Sequence, residues 1–410
     1  MIRIDEIYTD AIATWINKYR PKLQLIYCDP FGRSDPESIH VQNADISYTD
    51  YVLFFDQEPV TLELHRPTFD QVLLNNTDCS MYRYVDRLDD ASKNIFLTYR
   101  SQQPGNVIND LSVFYKKYPE LFCKFKKLNT NRIGHIVTSE KNSVSVEYLC
   151  KEYRWKSHYY FFHGWAALDW YRGYNRTYSI SNPSDRQITK TFIAPNRIVA
   201  GQRQHRLLML YHIFKNNLTN NWISCPAVCP AENITIQDAI KDLFNIYPDI
   251  KEVFNKQSLP IEFPGESGHP MRSCWLDLFK ESADCLLYLV TETVATGRRL
   301  HLTEKTFKPI CLRMPFVIVG TQGSLAYLRS YGFRTFNGIW DESYDDEPDD
   351  ILRIEQIASL LRSLDELPAA GKQELFDQCQ EIVEHNYNHF YSGAFEEILW
   401  KELQDMLNEL

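Results

Sequence analysis

Apolar residues in this chain fall into short continuous runs separated by amphipathic stretches. The runs "LQLIYC", "DYVLFF", "RIGHIVT", "KSHYYFF", "TKTFIA", "NWISCPAV" and "DCLLYLVTE" each end in polar, Gly-rich or Pro-containing sequence and predict buried strands. Between them, residues 9–19, 67–76, 143–155, 203–216 and 234–248 carry helical patterns. In the fourth of these, Leu207, Leu210, Tyr211 and Phe214 recur at i, i+3, i+4 and i+7 and predict one buried helix face. The stretch "KSHYYFFHGWAALDWYRGY" predicts a strand running into a short helix, and the chain ends in helical patterns over 351–367, 371–391 and 394–410. Strands alternating with helices predict α/β architecture with a mostly parallel sheet. No internal repeat or low-complexity tract interrupts the pattern.

The chain has 410 residues, more than one average domain. The Ser, Asn, Arg and Pro-rich stretch 175–188 is the expected linker. It divides an N-terminal α/β domain, 1–180, from a second, 185–385, leaving 386–410 as a C-terminal helix that returns to the first domain. The formal net charge of −10 argues against a general nucleic-acid coat but is compatible with one focused basic pocket. The ten cysteines contain no C-x-x-C pair, and several sit inside apolar runs, so they read as reduced core thiols in a reducing cytoplasm. No apolar h-region opens the chain and no window reaches the ~18 apolar residues of a membrane span, so a cytoplasmic protein without a membrane span is expected.

Two basic clusters break the acidic background. One lies in "TETVATGRRLHLTEKTFKPI", where the chain must leave one strand and return to a parallel neighbour. Thr303 is the expected N-cap of the crossover helix, with Glu304 and Lys305 in its first turn and Phe307, Ile310, Cys311 and Met314 on the buried face. Pro309 should shorten or kink it. Arg298 and Arg299 precede this helix, whose N-terminus attracts anions, so a phosphate site with Glu304 positioned for a ribose hydroxyl is one reading. A solvated rim, with Glu304 complementing the helix dipole, is the other. The second cluster, Arg197, Arg203, His205 and Arg206, follows the strand "TKTFIA" and opens a helix, again at a carboxyl strand end. Guanidinium forks match diphosphate oxygens.

At these residues the chain resembles glycosyltransferases of the GT-B architecture. The succession strand, "NRIVAGQRQHR", helix, then "LTEKTFKPI", "PFVIVG" and "SLAYLRSYGFRTF" is similar to the C-terminal domains of phage-encoded glycosyltransferases and, more distantly, of α-1,3-fucosyltransferases. The resemblance covers about 190–345 and fades in the N-terminal half; Pro309 departs from the family's uninterrupted helix. It implies two Rossmann-like domains facing a cleft and a sugar transferred from a nucleotide-sugar such as a UDP- or GDP-sugar to an acceptor hydroxyl. It further implies no metal or other required cofactor, and a location in the host cytoplasm if the chain is phage-encoded. Donor-binding residues would come from Arg197, Arg203, Arg206, Arg298, Thr303, Glu304 and Lys305, with Glu304 on ribose and Lys305 on phosphate. No GxGxxG or Walker A motif competes with this reading.

For the acceptor side, "FFDQEP" offers Asp56 and Glu58 at a strand end as a general base or as strand-end caps, and "FFHGWAALDWYR" offers His163 as a base or a core histidine. Trp165, Asp169 and Arg172 are the acceptor-binding candidates, although aromatic packing is the commoner account of Trp165. The phage resemblance suggests DNA carrying a modified base, or a glycan, as acceptor. Lys116, Lys117, Lys124, Lys126 and Lys127 form the one strong basic run, suited to phosphate contacts or to a solvated helix. The acidic run 340–350 reads as a solvated loop, with a metal site as the alternative. The competing function is a non-catalytic nucleotide- or glycan-binding protein on a degenerate version of the same fold.

Overall fold

The computed structural model describes strands at 23–28, 50–55, 94–99 and 134–138, and then 140–408 except 145–146, 148–149, 152–154, 160, 172–181, 231 and 264–275. The protein is mixed α/β and separates into two compact units, residues 1–162 with 400–410, and residues 163–399. Residues 175–181 of the expected linker, 175–188, lie outside the described residues.

The first unit contains five strands, β1 (Leu23–Cys28), β2 (Asp50–Phe55), β3 (Asn94–Tyr99), β4 (Gly134–Thr138) and β5 (Trp155–Tyr159). They lie in sequence order β1-β2-β3-β4-β5, and each pairs in parallel with the next.

Helix α1 (Phe162–Trp170), which the run into "HGWAALDW" predicts, leads into the second unit from His163 on. Its sheet has four parallel strands in the order β11-β10-β6-β7: β6 is Lys190–Ala194, β7 Trp222–Ile223, β10 Cys285–Thr291 and β11 Phe316–Val319. All seven residues of β10 are buried. A strand covered on both faces and flanked by parallel neighbours has no polar side, which is why its sequence is a continuous apolar run rather than an alternation. Pro226 closes the expected "NWISCPAV" strand early, and the chain instead makes a small antiparallel ribbon of β8 (Val228–Cys229) and β9 (Ile234–Thr235).

Helix α2 (His205–Lys215) follows β6 and packs against α3 (Ile250–Asn255) and α6 (Asp350–Asp365). Leu207 to Tyr211 and then Ile213 and Phe214 are all buried, so the helix hides more than the single face its period suggests. Layers on two sides account for this: α6 also contacts β6 and β11. The pattern over 234–248 yields only a helical turn, Ile236–Ala239, that tightens into a 3-10 turn at Ile240–Leu243. Helix α4 (Glu304–Cys311) crosses from β10 to β11 and packs on β10 and α8 (Gln380–Tyr391). It ends two residues after Pro309, and Met314 lies beyond it in the core. Phe307 anchors it, its ring 5.3 Å from Phe395 and 5.6 Å from both Phe333 and Phe390. Gly164 of α1 meets the same cluster: a Cβ there would stand 2.8 Å from the Phe395 ring. Helices α5 (Ser324–Ser330), α7 (Ala369–Gln378) and α9 (Ala394–Asn408) complete the order, and residues of α9 from Trp400 on group with the first unit.

The acidic run is not a solvated loop throughout. Glu342 and Asp345 are buried. The Asp345 carboxylate accepts from the backbone N–H of Leu325 at 2.9 Å and of Ala326 at 3.0 Å, capping α5 across twenty residues of sequence. The Gly323 N–H donates to the Asp345 carbonyl at 2.8 Å, from a left-handed conformation (φ 79°) that suits glycine. Glu342 accepts from the Phe336 N–H and the Thr335 hydroxyl, each at 2.7 Å. These carboxylates end helices and loops that would otherwise leave buried N–H groups unbonded. Asp345→Ala should therefore lower stability in urea denaturation by about 1–2 kcal/mol, while its neighbour Asp346→Ala should stay within about 0.5 kcal/mol. Equal effects would contradict the capping role.

Candidate functional site

Strand order determines where the site can be. From β6 the chain moves outward to β7, then returns to the other side of β6 as β10 and continues outward to β11. The order thus reverses between β6 and β10, and at such a switch the loops leaving the carboxyl strand ends diverge to open a crevice. The two loops concerned are 195–204 and 292–303. They are the two basic clusters of the sequence.

Glu292, the first residue after β10, holds the second loop. It is wholly buried. Its carboxylate accepts from the Thr293 N–H at 3.0 Å, the Thr303 N–H at 3.0 Å, the Thr303 hydroxyl at 2.5 Å and the Thr306 hydroxyl at 2.6 Å. Its own N–H donates to the Val319 carbonyl at 3.0 Å. Its carbonyl accepts from His205 Nε2 at 2.8 Å and from Arg206 Nη2 at 3.0 Å. Thr303 is the N-cap, as its position before "EKTF" predicts, and its hydroxyl faces the Lys305 N–H at 3.5 Å.

Glu304 and Lys305 form an ion pair at 2.6 Å with unequal exposure: 1% of the Glu304 side chain is accessible and 27% of the Lys305 side chain. Lys305 Nζ also donates to the Thr293 hydroxyl at 3.0 Å. The Glu304 Oε2 atom is buried and has no hydrogen-bond partner among the described residues. Burial opposes the charge on Glu304, but the adjacent Lys305, with His163 and Lys308, outweighs it and holds the carboxyl at about 2. The histidines behind the pair are buried: His163 of α1 and His301 meet edge to face with ring centroids 4.9 Å apart. Burial lowers His163 to about 4, the nearby Glu304 charge partly offsetting it. Tyr171 Oη reaches the Glu304 carbonyl at 3.4 Å.

The arginines divide by role. Arg206 is buried and donates to the carbonyls of Ile198 at 2.8 Å, Thr291 at 3.0 Å and Glu292 at 3.0 Å. It ties the first loop to the end of β10, a use of its fork that competes with diphosphate binding. Arg203 is half-buried, and its guanidinium has no hydrogen-bond partner among the described residues. Arg299 is half-buried, with Nε donating to the Thr296 carbonyl at 3.2 Å, and Arg298 is exposed. Arg197 is half-buried on the first loop. Lys308 turns away toward Asp277 at 3.7 Å. Burial lowers His205 to about 3, and Arg206, Arg203 and Arg299 add to the effect, so cations from both loops act on one imidazole.

Of the acceptor-side candidates, Trp165 is buried in the core of the second unit. Asp56, Glu58 and Arg172, the side chain of Asp169 and the lysine run 116–127 lie outside the described residues. Sequence reasoning passed over Glu292, Thr293, His301 and Thr306. Their one local signal was an acidic residue closing an all-apolar strand, followed by threonines in "TETVATG" and "LTEKT". Comparisons with protein-family models, with curated proteins and with solved structures find no match. Among the described residues no helix is long and apolar enough to cross a membrane, and the six described cysteines are free thiols.

The buried histidines set a pH dependence. The buried His163 and His205 and the half-buried His212 have folded values near 4, 3 and 4, loss of hydration being the main cause for each. The unfolded chain, titrating near 6.5, binds protons that the folded chain does not, so stability is full above about pH 6.5 and is lost as pH falls toward 4. Each histidine contributes up to about 1.4 kcal/mol per pH unit in that window. Glu304, whose value is depressed, acts with the same sign lower down, below about pH 4.5. The guanidinium midpoint should fall clearly from pH 7.5 to 5, and His212→Gln should flatten the slope in part. A midpoint constant over that range would contradict the burial of these imidazoles.

Proposed function

We propose that this protein is a nucleotide-sugar-dependent glycosyltransferase whose second unit binds the donor at the β6/β10 switch point. The observation that carries this reading is the gathering of both basic loops at one reversal of strand order, beside the N-terminus of a crossover helix. A nucleoside diphosphate needs that combination: cations on the phosphate oxygens and a helix start that favours negative charge. Arg203 is the principal phosphate ligand, since its guanidinium is half-exposed and unspent. Lys305 joins it by releasing part of its pairing with Glu304. Arg197, Arg298 and Arg299 widen the positive field, and Glu304, once Lys305 shifts, can accept from a ribose hydroxyl. Arg206 supports the loops without touching donor.

The five-stranded parallel sheet of the first unit supports a two-domain α/β enzyme of the GT-B kind. The candidates for the general base are Asp56 and Glu58, which follow β2 in the sequence. His163 is a poor base at neutral pH, because a group at about 4 has little proton affinity to contribute. The acceptor is a hydroxyl on a modified DNA base or on a glycan, and the basic segment 116–127 favours DNA. No step in this scheme requires a metal, because the arginines and the helix start stabilise the departing diphosphate.

Calorimetric titration with UDP, GDP, CMP and ADP and their sugars should identify one strongly bound nucleotide diphosphate. Arg203→Ala should weaken it by tenfold or more, about 1.4 kcal/mol. Slow release of nucleoside diphosphate from the matching sugar should be abolished by Glu58→Gln or Asp56→Asn with binding retained. Tight binding without release under any acceptor would instead favour the non-catalytic binding protein, and absence of binding to any nucleotide would overturn both.

A further inference from the structure

The switch-point loops meet through Glu292, the acidic residue that opens the second of them. Every polar group of Glu292 is bonded, and each bond leads to a different part of the site. The N–H goes to the end of β11, the carbonyl to His205 and Arg206 at the start of α2, and the carboxylate to Thr293 and to Thr303 and Thr306 at the start of α4. The four groups bonded to the carboxylate are two N–H donors and two hydroxyls. Oε1 faces Thr303 N–H and the Thr306 hydroxyl; Oε2 faces Thr293 N–H and the Thr303 hydroxyl. Each oxygen therefore meets a backbone donor that cannot reverse its role. An amide in this place would bring its NH2 against a backbone N–H in either orientation.

We infer that Glu292 is the positioning residue that keeps the two basic loops in fixed register. Its carboxylate sets the Thr303 hydroxyl, and so the N-cap and the Lys305 position. Its carbonyl, held by that same anchoring, fixes His205 and Arg206 and with them the turn that carries Arg203. Arg206 belongs to the same linkage: it donates to the carbonyls of residues 291 and 292 on one side and of Ile198 on the other. Buried networks of this kind transmit the loss of one member to all the rest, because each freed group is left without water to replace its partner. The consequence for anion binding rests on the donor-site reading above; the coupling of the loops does not.

The test compares wild type, Glu292→Gln and Thr306→Val by hydrogen exchange over 195–206 and 293–306, with circular dichroism to follow folding. Glu292→Gln should speed exchange about tenfold or more in both segments together. Thr306→Val, which removes one of the four carboxylate bonds, should do so to a smaller degree, and keeps the test decisive if the first variant does not fold. Faster exchange confined to 293–306 would overturn the inference. Pyrophosphate titration supplies a readout that a merely structural role would not move. Folded Glu292→Gln should bind it about tenfold more weakly, and Arg203→Ala should cost much less in that background than in wild type. Additive losses would contradict positioning. A wild type that binds neither pyrophosphate nor nucleotide would refute the donor site and leave the exchange result to decide the coupling.

Discussion

A carboxylate removed from water must find hydrogen-bond donors inside the protein, and Glu292 finds four. That single requirement organises the carboxyl edge of the second sheet. It explains why threonines stand at 293, 303 and 306, why α4 begins where it does, and why the loop between β10 and α4 closes at its base. The tip of the same loop is held separately. The Gly297 N–H donates to Asp350 at 3.0 Å, and Asp350 pairs with the buried Arg353, whose guanidinium also reaches the carbonyls of Ala295, Gly320 and Glu347. A loop anchored at both base and tip can present Arg298 and Arg299 without collapsing onto the sheet.

The positive edge is built on an acidic protein by separating charges according to burial. Arg206 and Arg353 are turned inward and consumed by backbone carbonyls, and Lys308 by Asp277. Of the other cations on the two loops and the first turn of α4, Arg298 is exposed, Arg203 and Arg299 are half-buried and about a quarter of the Lys305 side chain is accessible. Neutral imidazoles at 163 and 205 fill the space behind them. Their burial avoids further positive charge there, so the cations at the edge are repelled less than a count of basic residues suggests. The same arrangement makes the unit sensitive to acid, because protonating those imidazoles would add charge where water cannot screen it.

What could be read from the sequence was what local pattern controls. The apolar run of β10, the Thr303 cap, the crossover to β11 and the terminal helices depend on residues a few positions apart, and they fold as the pattern predicts. The role of individual charged side chains was not readable in that way. Arg203 and Arg206 differ by one helical turn, yet one is unspent and the other is a buried tie, and only the position of the β10 carboxyl end distinguishes them. Asp345 looked like one acid among several until the start of α5, twenty residues earlier, came beside it. Glu292 reads as a strand end, since the partners of its carboxylate lie up to fourteen residues away and His205, on its carbonyl, eighty-seven. The short 3-10 turn at 240–243 departs from the helical period over 234–248, where tertiary context overrides local pattern, and the ribbon at 228–235 takes the place of the end of the expected "NWISCPAV" strand.

The central claim is that a nucleotide diphosphate binds at the β6/β10 edge. A crystal structure of the protein with the nucleotide that stabilises it most against heat tests this directly. The account expects the phosphates beside the Arg203 guanidinium and the first turn of α4, with Lys305 swung from Glu304 toward them. Phosphates bound elsewhere, with Arg203 and Lys305 unmoved, would contradict it.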